Sequence, residues 1–240
     1  MSGEHLASRC IFDTKSVIVE GFSWCKEKPK EISVETLVAN VLCRDHNAEL
    51  SPADTAAGQT FTTFEEAVRL FGLRRSLAPS KLWATKRFDV DGVLLERWML
   101  KTFINFSFRG NNLIGLDATE PGKCPDELAQ IAFGRQPFHG HSGLYVAVES
   151  SKVIEPPEGK VFSLATMLLG DRRLVAGLFK VSGISLMLWL PSDRSPAEIS
   201  GSTRVPEWSQ LTFVRHPAKF NFNLSERKAS RSHTIYFAWV

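Results

Sequence analysis

The sequence predicts an α+β fold: a small, cysteine-bearing N-terminal module, then central helices, then a C-terminal antiparallel β region. Three observations carry this. Apolar residues recur with helical period from Val93 to Phe108. Short strand-like runs separated by Gly, Pro and Asp turns fill the chain from Gly143 onward. Three of the four cysteines fall within the first sixty residues, which are rich in loop-forming residues. The expected division is a module over 1–60 and an α+β domain over 61–240. Within the latter, helices run to about residue 135 and β structure starts at about 143.

In the N-terminal part, Ser16 to Val19 reads as a strand and Lys26 to Lys30 as a charged, proline-bearing loop. Ser33 is the expected cap of a helix from Val34 to Leu42, which places Cys43 and His46 at or beyond its end. Ser51 followed by Pro52 reads as another helix start. Phe64 to Phe71, with apolar residues at helical spacing, reads as a helix capped by Thr62 or Thr63 and ended by Gly72.

In the middle, Asp91-Gly92 reads as a turn. The helix after it is apolar nearly all round. Arg97, Lys101 and Asn105 form its one polar stripe, so most of it must be buried. Arg109 to Asn112 ends it, and Asp126 to Phe133 forms a short helix after Pro125. The strand-like runs are Leu144–Val148, Lys160–Leu169, Arg173–Phe179, Ile184–Leu190, Leu211–Arg215 and Thr234–Val240, with Val181-Ser182-Gly183 as a hairpin turn. Ser192 to Thr203 reads as a loop.

The composition narrows the function classes. An apolar content of 43% with 17 Phe and 6 Trp fits a packed core. No apolar run approaches the length of a membrane-spanning helix. Met1 to His5 lacks the charged start and apolar core of a signal peptide, so a cytoplasmic location is expected. In a reducing compartment, four cysteines point away from a disulfide framework. The net charge of +3 says little. However, Arg69 to Arg109 holds nine Lys or Arg against three acids, an excess that would attract a polyanion. Arg74, Arg75, Lys86, Arg87, Arg97 and Lys101 are its candidate nucleic-acid contacts. Arg97 and Lys101 stand one helical turn apart.

Cys43-x-x-His46 has the spacing of half a zinc site, because one turn brings a thiolate and an imidazole to the same ion. Cys10 and Cys25 could each supply a sulfur. Alternatively, Cys10-x-x-Asp13 could supply one sulfur and one carboxylate. Phe138-His139-Gly140-His141-Ser142-Gly143 is a second candidate for holding a metal or phosphate.

The order of knuckle, strand, helix and Leu42-Cys43-x-x-His46-Asn47 resembles the treble-clef zinc finger of HNH-type endonucleases, over at most residues 8–55. Residues 90–101 also resemble a segment of bacterial proteins of unassigned activity that carry such a finger. The resemblance implies bound zinc and a zinc-finger-like module. It also places a catalytic histidine on the strand after the first knuckle, where it would activate the attacking water. Lys15 to Val19 carries no histidine. The resemblance therefore implies a degenerate, non-catalytic module that binds nucleic acid or a protein partner. Two alternatives stand beside it. One is a metal-dependent nuclease with its base displaced to His139 or His141. The other is a metal-free interaction or assembly protein.

Overall fold

A computed structural model describes residues 4–5, 11, 16–19, 30–36, 38–39, 42–75, 85–149, 162–171, 173–200, 211–223 and 232–240. The chain is α+β within these limits. No helix among them is long and apolar enough to cross a membrane.

The N-terminal part consists of short strands: β1 (Glu4–His5), β2 (Ser16–Val19), β3 (Lys30–Ser33) and β4 (Val38–Ala39). β2 pairs antiparallel with β3, and β1 with β4. The helix expected over 34–42 is replaced by a single 3-10 turn, Val34–Thr36, followed by β4. Ser33 does cap that turn, accepting from the Glu35 amide at 3.3 Å. Val34, Thr36 and Val38, all β-branched, then favour extended backbone over further helix.

Helix α1 (Arg44–Arg75) begins directly after Cys43, whose carbonyl accepts the Asn47 amide at 3.0 Å. Cys43 and His46 thus lie at the start of a helix, not at the end of one. The helix starts expected at Ser51 and Thr62 are interior positions of α1, and the expected module boundary at residue 60 falls within it. Ala53, Ala57, Phe61, Phe64, Val68 and Phe71 form one buried stripe that runs through the expected breaks. The hydroxyls that would cap a new helix turn back instead. Thr60 Oγ1 donates to the Ala56 carbonyl at 2.8 Å, and Thr62 Oγ1 to that of Gly58 at 3.0 Å.

Strand β5 (Arg87–Asp91) runs straight into α2 (Gly92–Gly110) with no intervening turn. The Asp91 carboxylate caps α2 by accepting the Leu94 amide at 2.8 Å, and Asn111 ends it in the left-handed conformation. β6 (Leu113–Ile114) and α3 (Asp126–Ala132) follow. Then come β7 (Gly143–Glu149), β8 (Phe162–Leu168), β9 (Arg173–Val181), β10 (Ile184–Trp189), α4 (Pro196–Ser200), β11 (Leu211–Arg215), β12 (Lys219–Asn223) and β13 (Ser232–Ala238).

Two sheets organise these elements. The larger has the order β11-β7-β10-β9-β6, with β8 also on β9; all its pairings are antiparallel except β6 with β9. The smaller has the order β12-β13-β5, and β13 runs parallel to β5. α2 is the central helix. Its Trp98 ring meets Phe61 of α1 at 5.2 Å and Phe179 of β9 at 5.9 Å, so the helix is walled on both sides. Leu95, Trp98, Met99, Leu100 and Phe103 are fully buried. Ile11, Ile32 and Val34 pack into the same core, so β3 and the 3-10 turn after it are docked on it. On its other face the larger sheet holds a second apolar cluster around Met187 and Trp189.

Candidate functional site

Cys43 directly precedes α1 and His46 lies in its first turn, both exposed, with Sγ 3.3 Å from Nδ1. This is a hydrogen-bond contact between thiol and imidazole, and its length is close to the separation of about 3.5 Å that a tetrahedral zinc imposes on a sulfur and a nitrogen ligand. The His46 ring rests against Phe133 at 5.4 Å, and the Arg135 guanidinium lies over the same Phe133 ring at 5.3 Å. This contact with the end of α3 orients the imidazole. Cys10, Asp13 and Cys25 lie outside the described residues. Among the described residues, no group of three or more His, Cys, Asp or Glu is placed to hold a metal.

The structure distributes the basic candidates differently from the surface stripe expected. Arg74 and Arg75 close α1, and their side chains are outside the described set. Lys86 pairs with Glu66, and Arg87 with Asp89 at 2.8 Å while stacking over Tyr236. Arg97 Nε donates to the Ala132 carbonyl at 3.0 Å, which fastens α2 to the end of α3. Lys101 is 4% exposed and pairs with Asp54 of α1 at 2.8 Å. Lys101 is therefore an interior group rather than a phosphate contact on a surface. The cause is α1, which covers that face of α2 and supplies the carboxylate.

The loop at 138–143 is held by its backbone. His141 N donates to the Ser192 carbonyl, Tyr145 Oη to the His141 carbonyl, and Arg215 Nε to the Ser142 carbonyl, all within 3.0 Å. His139 Nε2 stands 3.4 Å from Glu127 Oε1 of α3. That acid precedes the histidines in sequence and is brought to them by the fold. Beside the pair lies a small cavity of about 50 Å³ between α3, the segment after β6 and the loop.

A pair between a buried carboxylate and a partly exposed imidazole was not anticipated from the sequence. Glu96 of α2, 7% exposed, places Oε1 2.6 Å from His216 Nε2 and accepts the Leu144 amide at 2.6 Å. His216 has φ +42, and its ring lies tilted against Trp239 with the centroids 4.3 Å apart. Gly143, at φ +128, permits the approach: a Cβ there would lie 2.7 Å from Glu96 Oε1. A signal for the carboxylate did exist. Its helical neighbours at three and four residues on, Met99 and Leu100, belong to the fully apolar part of α2. A charge there must be buried and answered.

Cys124 contrasts with exposed Cys43. Burial pushes its thiol pKa up to about 12, with nearby Asp126 adding to the effect. Comparison with protein-family models, with curated proteins and with solved structures finds no match.

Proposed function

We propose that this chain is a zinc-binding protein with a degenerate, HNH-like N-terminal module that binds a macromolecular partner without cutting it. The observation that carries the reading is the 3.3 Å approach of Cys43 Sγ to His46 Nδ1 at the start of α1. Two ligands held together at the start of α1 would leave Cys10 with Cys25, or Cys10 with Asp13, to complete four-coordination. The role of the zinc in this reading is structural: it ties the N-terminal strands to α1. Each basic candidate whose side chain is described holds a partner within the chain. This favours a protein as the partner over a nucleic acid.

The test is the metal content of protein purified without chelator. One zinc per chain, lost in Cys43→Ser, supports the reading; no zinc overturns it and leaves a metal-free interaction protein. Binding to labelled single- and double-stranded oligonucleotides across a salt series decides the partner class. Nucleic-acid binding must weaken log-linearly with salt, and salt-independent absence of binding leaves the protein partner.

The second reading, a metal-dependent nuclease with a displaced base, is favoured by the Glu127–His139 pair at 3.4 Å beside a cavity. A carboxylate beside an imidazole is the arrangement that orients a general base. Plasmid cleavage with Mg²⁺, Mn²⁺ or Zn²⁺, abolished in His139→Ala, would establish it, and failure to cut with all three ions removes it.

A further inference from the structure

We propose that the cavity beside His139 binds a small organic cation, a short aliphatic ammonium ion. Its floor is apolar: Ile114, Leu128, Ile131, Phe138 and Leu190. A hydrated inorganic cation gains nothing from such a surface, whereas an alkyl chain does. The rim carries two carboxylates, Asp117 and Glu127, with the His139 imidazole beside the second. No Lys or Arg is among the described residues that line it, although the chain as a whole carries a net charge of +3. The pocket is thus a locally acidic, apolar-floored site in a basic protein, which selects a positive head on an apolar tail and disfavours a carboxylate ligand.

The walls are fixed before any ligand arrives. Arg173 donates from one guanidinium nitrogen to the carbonyls of Gly115, Leu116 and Ala118, locking the segment that carries Asp117. Its charge is answered by Asp171 at 3.0 Å. On the opposite side, Ser142 Oγ donates to the His139 carbonyl at 2.6 Å and holds the loop that presents the imidazole. A preset pocket does not pay ordering entropy on binding. A volume of about 50 Å³ takes only part of a short alkyl chain, so the rest of the guest and its ammonium head lie at the open rim beside the carboxylates.

The experiment titrates n-butylammonium chloride, 1-butanol and sodium butyrate into the full chain by calorimetry. In parallel, amide shifts are followed at Gly115, Leu128 and His139. We expect saturable binding of n-butylammonium with shifts at those residues, binding of the isosteric alcohol weaker by about tenfold or more, and no binding of butyrate. Asp117→Asn and Glu127→Gln, both isosteric, should each weaken the amine about fivefold or more with an unchanged circular dichroism spectrum. Leu128→Phe, filling the floor, should abolish binding. The proposal is overturned if n-butylammonium shows no saturation by about 10 mM, if butanol or butyrate binds as well, or if neither carboxamide variant changes the affinity. The zinc reading stands or falls separately, because none of these residues belongs to its ligand set.

Discussion

Glu96 and His216, 120 residues apart in the chain, meet at 2.6 Å through Oε1 and Nε2. Three elements converge on that oxygen: α2 supplies it, β7 donates the Leu144 amide to it, and the turn after β11 brings the imidazole. Leu144 is fully buried, so its amide has no access to water when the carboxylate is removed. Glu96→Ala is therefore expected to cost about 3 kcal/mol. Glu96→Gln keeps a neutral acceptor in the same place and should cost less than half of that. Urea unfolding at neutral pH measures both, and equal losses for the two variants would contradict the account.

Lys101 and Asp54 make the second interior charge pair, holding α1 to α2. Asp54→Ala strips the carboxylate from an ammonium that is 4% exposed, at an expected cost of about 3 kcal/mol. Asp54→Leu combined with Lys101→Met removes both charges and should recover most of that loss. If the double variant is no more stable than Asp54→Ala, the pair is not the origin of the cost.

The two described cysteines should separate chemically. A thiol with a pKa of about 12 is almost wholly protonated at pH 8, and the thiolate is the form that alkylates. Iodoacetamide at pH 8 should thus modify exposed Cys43 well before Cys124, as read by peptide mapping of metal-free protein. The sign for stability follows from the same shift. Below the ordinary thiol pKa, folded and unfolded chains both hold the Cys124 proton. Above it, the unfolded chain releases the proton while the folded chain keeps it until about pH 12, so stability falls as pH rises through that window. Cys124→Ala should reduce the slope of unfolding free energy against pH between about 9 and 11.

Gly177 of β9 lies under the Phe103 ring of α2, and a Cβ at that position would come within 2.6 Å of it. Phe103 is fully buried and has no room to retreat. Gly177→Ala should destabilise by about 1–3 kcal/mol through overpacking. Gly170→Ala is a suitable control, because a Cβ there meets nothing within 4 Å. Comparable losses in the two would remove the steric explanation.

What the sequence disclosed depended on range. α2 is legible because apolar residues cover it except for one polar stripe, and β11 because a short run of strand-forming residues stops before Pro217. β5 also carries a clear alternation, with Phe88 and Val90 buried between exposed Arg87, Asp89 and Asp91. It was obscured by the turn signal of Asp91-Gly92, which here is a helix cap. Ser51-Pro52 and Thr62-Thr63 mimic helix starts and disguise the continuity of α1. The buried stripe, continuous across both, outweighs those local signals. Within the candidate site, the Cys43–His46 spacing was visible because its two members share one helical turn. Glu127 with His139 and Glu96 with His216 were not, because each pair is made by tertiary packing.

The parallel pairing of β5 with β13 sets a schedule for biosynthesis. The Lys86 amide donates to His233 Nδ1 across 147 residues of chain. A ribosome adding about 5–20 residues per second needs roughly 7–30 s to cover that gap. Throughout it, Phe88 and Val90 lack the strand that pairs with theirs. For most of elongation β5 is therefore a lone strand with none of its sheet yet made, a binding opportunity for a holding chaperone that closes when β13 emerges.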